Sequence, residues 1–248
     1  MEIVEGVEVV RELPAVIIRQ ARALVIADTH LGFEEEMAKR GVFIPRFQLR
    51  RVLNVLEEAI DEVSPELVVV AGDFKHMFSG LGRLERRELL EVITFVLSNV
   101  GSLVVVRGNH DNYLPLLQRK LNFDIVDELT LGRYLIVHGH KPIRDLKGGW
   151  DVLIFGHEHP SIRIRDALGT VGRFSCFLTG RLANEKRFVT LPAVGAYQTG
   201  SRVTLNRETY LSPILREQVD LNIVKPVIVD EDVGLFELPP LAELLDFI

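Results

Sequence analysis

Seven histidines stand out in this sequence because their positions and neighbours indicate chemistry. Each lies at or just beyond the end of a predicted strand, usually beside Gly, Asp or Asn. They fall in five segments: Ala27-Asp28-Thr29-His30, Gly72-Asp73-Phe74-Lys75-His76, Gly108-Asn109-His110-Asp111, Val137-His138-Gly139-His140 and Gly156-His157-Glu158-His159. Open α/β folds place their ligands at the carboxyl ends of the strands, so we expect these segments to form one site.

The spacing within two of these segments predicts metal binding. Asp28 and His30 are two residues apart, as are His157 and His159, and residues i and i+2 of an extended backbone share a face. The two side chains of each pair are therefore expected to bind at the same site. Imidazole, carboxylate and amide donors without thiolate suit Mn, Fe, Zn or Ni. The candidate ligands exceed what one ion takes from a protein, so two ions sharing a bridging carboxylate fit better.

Together the five segments resemble the calcineurin-like metallophosphoesterase superfamily, whose pattern is D-x-H, G-D, G-N-H-D/E, H and G-H-x-H. All five blocks occur here in that order, over about half of the chain. The resemblance implies two metal ions bridged by Asp73, with Asp28, His30 and His159 on the first ion and Asn109, His138 and His157 on the second.

The resemblance also implies residues that act in the reaction. His110 matches the histidine that assists the phosphate, and Asp111 matches its orienting partner. His76, three residues after the bridging Asp, resembles the repair-nuclease branch and its small ligase-associated bacterial and archaeal relatives. We therefore expect a phosphoesterase that uses metal-activated water on phosphodiesters, in a nuclease-like way. Two divalent ions are the expected cofactors, with Mn²⁺ favoured and Fe, Zn or Ni as alternatives.

Other interpretations stay open. A phosphomonoesterase or nucleotide phosphatase would use the same metal ions, and a non-catalytic binding scaffold could keep the fold without the activity. All the ligand segments and His110 are present, and a scaffold would have little reason to keep them, so the sequence favours an enzyme. His140 is interpreted as a histidine outside the metal site, whereas Trp150 and Tyr113 are interpreted as core or rim residues rather than stacking platforms for a base. Cys176 is expected to be a buried apolar residue.

Hydrophobic patterns predict the elements that must position these residues. Short β-branched runs predict buried strands at Leu24 to Ala27, Leu67 to Ala71 and Leu103 to Val106. Two stretches with apolar residues at three- and four-residue spacing predict helices, over 45–63 and 84–100. Beyond residue 122 the pattern is strand after strand. The predicted fold class is α/β, with two packed mixed β-sheets flanked by helices in the four-layer sandwich of metallophosphoesterases.

Composition limits the remaining possibilities. The chain of 248 residues is 47% apolar and 26% charged, which is typical of a globular protein and not of a disordered one. We expect one domain over 1–248, in which 160–210 is a β-rich accessory region that faces the substrate. That region has eight basic residues against three acidic ones, although the whole chain has a net charge of −6. Apolar runs too short to span a membrane and a single cysteine favour a cytoplasmic protein. The substrate partner is a phosphate ester, with nucleic acid or nucleotide as candidates, and the acidic tail could form an oligomer contact.

Overall fold

The first half of the chain forms a mixed sheet whose parallel part carries three of the histidine segments. The computed structural model describes residues 1–143, 148–166, 169–198, 200–245 and 247. The strands pair in chain order, antiparallel from β1 to β4 and parallel from β4 to β7. They are β1 (Glu2–Val4), β2 (Val7–Val9), β3 (Val16–Ile18), β4 (Ala23–Ile26), β5 (Leu67–Val70), β6 (Leu103–Val106) and β7 (Asp124–Val126).

The second half forms another mixed sheet. Its centre is a parallel trio of β9, β10 and β13, and antiparallel strands extend it on both sides. The strands are β8 (Leu129–Leu131), β9 (Tyr134–Val137), β10 (Val152–Phe155), β11 (Pro160–Asp166), β12 (Gly169–Arg181), β13 (Arg187–Thr190), β14 (Ser201–Arg202), β15 (Lys225–Asp230) and β16 (Gly234–Glu237).

Helices cover the outer faces of both sheets unequally. The first sheet is covered by two long helices, whereas the second is covered by one short helix and several 3₁₀ turns. The helices are α1 (Phe33–Lys39), α2 (Gln48–Val63), α3 (Arg83–Asn99), α4 (Pro115–Gln118) and α5 (Pro213–Glu217). In the described residues, no helix is long and apolar enough to cross a bilayer.

Alternation along the strands creates three apolar layers. Val25 and Val69 face the second sheet, where they meet Ile154 and Phe177, while Leu24 and its neighbours on the other face pack against α2 and α3. A third layer lies between the second sheet and α5. The central parallel strands are buried on both faces because helices cover one face and the other sheet covers the other. The predicted α/β sandwich of two mixed sheets is thus confirmed.

The predicted helices and central strands are close to those observed, while the ends of the chain differ. The helix predicted over 45–63 begins at Gln48, and the one predicted over 84–100 covers Arg83–Asn99. The antiparallel strands β1 to β3 were not predicted. The tail adds the β15–β16 hairpin to the second sheet. Within the region predicted as an accessory, 160–210, residues 167, 168 and 199 lie outside the described residues, and its role facing the substrate stays a prediction.

Candidate active site

The five histidine segments meet where parallel strands end. They follow β4, β5, β6, β9 and β10, and the two sheets bring these carboxyl ends to a common edge. Backbone hydrogen bonds join the loops, since the amide of His30 donates to the carbonyl oxygen of Asp73 at 2.9 Å. The amide of His157 donates to Oδ2 of Asp28 at 2.8 Å and so links the second sheet to the first. The shared edge expected from the sequence is present.

One group of converging donors consists of Asp28, His30 and His159. Nε2 of His159 lies 3.3 Å from Oδ1 of Asp28 and 3.4 Å from Nε2 of His30. Oδ1 of Asp28 is buried and makes no hydrogen bond within the part of the chain that the structure describes. A buried carboxylate oxygen without a donor is costly, and a cation among these three side chains would remove that cost.

A second group consists of Asp73, His138 and His157. Nε2 of His138 lies 3.4 Å from Oδ1 of Asp73 and 3.2 Å from Nδ1 of His157. Oδ1 of Asn109 joins the group at 3.1 Å from the same nitrogen. Nδ1 of His138 faces the carbonyl oxygen of Ala71 at 3.1 Å and can donate to it, which leaves the Nε2 lone pair for a ligand.

Asp73 lies between the two groups. Its Oδ2 is 3.7 Å from Nε2 of His30 in the first group, while its Oδ1 faces His138 in the second. The backbone amide of His110 donates to Oδ1 at 3.0 Å and holds the carboxylate in this orientation. One carboxylate therefore presents one oxygen to each group, which is the arrangement required of a bridging ligand.

The carboxylates make the site favourable for positive charge. Burial lowers the pKa of His138, but the carboxylates of Asp73 and Asp28 outweigh burial and raise the pKa to about 9. The pKa of His159 is also raised, because Asp28 and Asp73 again outweigh burial. Burial lowers the pKa of His30 well below its usual value. The two buried carboxylates thus attract positive charge, which protons on His138 and His159 or a bound cation can supply.

His76 and His110 lie at the mouth of the site. Their rings stack with centroids 5.5 Å apart, and their side chains are 16% and 23% exposed, against 5% for His30. Nδ1 of His76 is 3.2 Å from Nδ1 of His30, and Nδ1 of His110 faces the backbone carbonyl of His76. Burial lowers the pKa of His76 to about 4. Two imidazoles therefore line the opening through which a substrate reaches the metal-binding groups.

Asp111 lies beneath the loop instead of beside the His110 ring. Its oxygens accept hydrogen bonds from the amides of Gly108 at 2.8 Å and Lys75 at 3.2 Å, and burial raises its pKa to about 6. The contact expected to orient His110 is made by the carbonyl of His76. Asp111 instead fixes the turn that carries Asn109 and His110.

His140 stands beside the second group without belonging to it. Its ring centroid is 5.2 Å from that of His138, and its Nδ1 is buried without a hydrogen-bond partner among the described residues. Burial lowers its pKa to about 4. The ring lines an open groove of about 980 Å³ that begins at Asn109 and His138 and is also lined by Phe78 and Trp150.

The backbone at the candidate ligands corrects one expectation. Asp28 and His30 converge on one group, but both have positive φ, 55° and 43°, instead of an extended strand conformation. His157 and His159 also have positive φ, and their rings go to different groups rather than gripping one site. The strands end before these four residues, so left-handed turns and not the alternation of a strand set the directions of their side chains.

Two motif glycines permit the close approach of the loops. A Cβ on Gly72, whose φ is +89°, would lie 2.2 Å from Nδ1 of His138. A Cβ on Gly108 would lie 2.1 Å from Oδ1 of Asp73. The glycines of the second and third segments are therefore required by the packing of the candidate ligands themselves.

Two supporting residues were not predicted. Oε2 of Glu36 on α1 lies 3.2 Å from Nε2 of His76, and Nζ of the buried Lys75 donates to the carbonyl oxygen of His110 at 2.9 Å. Glu36 is one of three consecutive glutamates on a helix, and nothing in that pattern distinguishes it. Lys75 carries a weak signal, since it lies between two motif residues, Asp73 and His76.

The sequence matches the family model described as calcineurin-like phosphoesterase over residues 21–161, which include every candidate site residue. The chain belongs to that family. It is therefore a hydrolase of phosphate esters, and the family uses divalent metal ions at His and Asp clusters such as these. No curated protein sequence matches the chain.

Three solved structures are similar to this chain to different degrees, and the nuclease MPE shares its fold. The crystal structure of the nuclease MPE from Pseudomonas putida has a TM-score of 0.62 and 21% sequence identity, covering 92% of this chain and 93% of that one. The phosphoesterase YfcE from E. coli has a TM-score of 0.43 and 16% identity, covering 88% of this chain and 98% of that one. A protein of unknown function from Aquifex aeolicus has a TM-score of 0.36 and 22% identity, covering 54% and 77%.

Proposed function

We propose that this phosphoesterase is a dinuclear, metal-dependent phosphodiesterase with nuclease-like substrates. The observation that carries the proposal is Asp73, which presents one oxygen to the group of Asp28, His30 and His159 and the other to the group of His138 and His157. A carboxylate placed in this way suits two ions at the spacing of about 3.5–4 Å used by two-metal hydrolases. The nuclease MPE with the same fold supports the choice of substrate class.

The donor set fits divalent ions of intermediate softness. Imidazole, carboxylate and one amide oxygen suit Mn²⁺, which we propose as the working metal, and Fe, Zn or Ni as alternatives. The unpaired Oδ1 of Asp28 is accounted for if it binds an ion. When bound, the ions supply positive charge to the phosphate and activate water as the nucleophile.

The chain's own residues then position and protonate the substrate. His110 donates through Nδ1 to the carbonyl of His76, and when the ring is doubly protonated, Nε2–H donates to a phosphate oxygen or passes its proton to the leaving oxygen, which leaves the neutral imidazole. His76 stacks on the His110 ring and so helps to position it at the mouth. The buried carboxyl of Asp111 keeps the loop of His110 in place through backbone amides.

The groove beyond Asn109 and His138 supports a diester over a monoester. It offers about 980 Å³ of space next to the second group, lined by Phe78, His140 and Trp150. A phosphodiester carries an ester arm on both sides of the phosphorus, whereas a monoester leaves one side unoccupied. The groove accommodates the second arm, and Phe78, which is 58% exposed, offers it an aromatic surface.

The test compares hydrolysis of bis-p-nitrophenyl phosphate and p-nitrophenyl phosphate after chelation and re-addition of Mn²⁺. We expect faster turnover of the diester, and loss of both bound ions and activity in Asp73→Asn. Asp124→Asn is the matched control, because Asp124 is exposed on β7 and lies outside both groups. A preference for the monoester would assign a phosphatase instead. Metal-loaded protein that is inactive on both substrates would favour a binding scaffold.

A further inference from the structure

The loop between α1 and α2, residues 40–47, exposes apolar side chains next to the active site. Phe43 is 86% exposed, Val42 50% and Phe47 48%, which are large values for aromatic and aliphatic residues in one short loop. The loop is tied to the mouth of the site through two contacts. The hydroxyl of Tyr197 donates to the carbonyl oxygen of Pro45, and the Tyr197 ring stacks on Phe33, which in turn contacts His76.

The same surface carries arginines without acidic partners. Residues 37–56 contain five cationic residues, of which Lys39, Arg40 and Arg51 pair with glutamates. Arg83 and Arg87, from the start of α3, join Arg46 around a pocket of about 510 Å³ that also includes Phe43. Within the described part of the chain, these three guanidinium groups make no hydrogen bond or ion pair. Unpaired arginines beside an exposed aromatic ring are suited to a polyanion that also carries flat apolar groups.

The acidic residues at this pocket do not cancel its charge. Glu35 accepts hydrogen bonds from the amides of Leu84 and Glu85 at the start of α3 and pairs with Lys39. Oε1 of Glu34 accepts hydrogen bonds from the amides of Phe47 and Gln48. Oε2 of Glu34 remains buried, at a residue only 5% exposed, without a hydrogen-bond partner among the described residues. Both glutamates are thus held by backbone amides of the protein itself.

We propose that this pocket and loop bind a segment of single-stranded nucleic acid that leads to the active site. Arg46, Arg83 and Arg87 contact phosphates, and Phe43 stacks on an unpaired base. The path continues over Tyr197 and Phe33 to His76. A duplex fits less well, because its bases are already stacked and paired. This inference rests on the proposed function and extends it from small diesters to polynucleotides.

Self-association explains the exposed loop less well than nucleic acid does. In a symmetric dimer centred on Phe43, the three arginines of one copy would face those of the other, and the glutamates at the pocket are already held by backbone amides of their own copy. A polynucleotide neutralises the same arginines and covers the ring at once. The dimer is therefore one outcome that the test must be able to show.

The experiment measures binding, not cleavage, by fluorescence anisotropy with labelled oligodeoxycytidylate of about 20 nucleotides in EDTA at low and moderate salt. We expect Phe43→Ala to weaken binding about tenfold, as loss of one stacked base predicts. Arg83→Ala and Arg87→Ala should each weaken binding and reduce the steepness of its salt dependence. The same oligodeoxycytidylate annealed to its complementary strand should bind more weakly than the single strand. A parallel measurement with oligocytidylate compares the binding of RNA with that of DNA.

Phe236→Ala and Arg216→Ala are the matched controls. Both residues are exposed and belong to the second sheet and its covering helix, away from the pocket. Unchanged strand binding in Phe43→Ala and Arg83→Ala would overturn the proposal, as would conversion of a dimer to a monomer by Phe43→Ala without loss of strand binding. Hydrolysis of bis-p-nitrophenyl phosphate should be the same in Phe43→Ala and the wild type. A protein that binds the strand yet fails to cleave the small diester would overturn the proposed function instead.

Discussion

Oε2 of Glu36 lies 3.2 Å from Nε2 of His76, so a residue of helix α1 holds an imidazole at the mouth of the active site. The opposite nitrogen of the same ring faces His30. His76 is therefore held from both sides, and the helix is coupled to the candidate metal centre through one side chain.

Glu36→Gln should lower turnover of a phosphodiester about fivefold, because it removes the carboxylate charge 3.2 Å from Nε2 of His76, a contact that contributes about 1 kcal/mol. Metal content should be unchanged, since Glu36 is outside both ligand groups. The measurement is kcat and KM on bis-p-nitrophenyl phosphate together with metal analysis. Glu57→Gln, on the exposed side of α2, is the control. Turnover equal to the wild type would show that Glu36 has no positioning role.

Much of the central architecture could be predicted because buried strands and helices show apolar residues in short runs or at regular spacing. Strand β6 was predicted with its observed bounds, Leu103–Val106, since four consecutive apolar residues require two covered faces. The strands β1 and β2 were missed because each has three residues, too few to establish a period of two. They join the rest of the sheet only through β3, which pairs with β4.

The candidate site could be predicted as a set of residues but not as a geometry. Motif order placed Asp28, Asp73 and the histidines together, and the structure confirms that they meet at one edge. The resemblance also assigned His157 and His159 to different ions, in agreement with their two groups, whereas the i, i+2 spacing wrongly predicted one shared site because left-handed turns follow the strand end. Glu36 was missed because its contact with His76 depends on how α1 packs against the loop that follows β5. No pattern in the sequence near Glu36 indicates that packing.

Gly108→Ala should disrupt the metal centre. The added Cβ would lie 2.1 Å from Oδ1 and 2.3 Å from the backbone nitrogen of Asp73, so the bridging carboxylate must move. We expect loss of activity, lower metal content and a decrease of about 1–3 kcal/mol in the free energy of unfolding. Gly149→Ala is the matched control, because a Cβ at Gly149 would have no neighbour within 4 Å. If both variants bind two ions per chain, the close packing of Gly108 against Asp73 is not required.

The stability of the protein should fall between about pH 4.5 and pH 7 through Glu88. Burial raises the pKa of the Glu88 carboxyl from 4.5 to about 7, so in this range the folded state keeps a proton that the unfolded state has lost. The free energy of unfolding then decreases as pH rises, by about 2–3 kcal/mol for a shift of this size. Glu88→Gln keeps an acceptor for the amide of Gly32 and should remove this decrease.

Urea unfolding at pH 5 and pH 8 measures the effect of Glu88. The variant should gain stability relative to the wild type at pH 8 but not at pH 5. Glu91→Gln, at an exposed position of the same helix, should follow the wild type at both values. If the free energy of unfolding changes by the same amount between pH 5 and pH 8 in Glu88→Gln and in the wild type, Glu88 is not the group responsible for the pH dependence.

The separation of His157 from His159 predicts that their removal affects different ions. His159→Ala takes a ligand from the group of Asp28 and His30, while His157→Ala takes one from the group of Asp73 and His138. Each variant should bind about one ion per chain tightly where the wild type binds two. Metal analysis and titration with Mn²⁺ measure the stoichiometry, and Asp73→Asn should lose both ions because its oxygens face both groups. Retention of two tightly bound ions by both histidine variants would show that neither ring is a ligand.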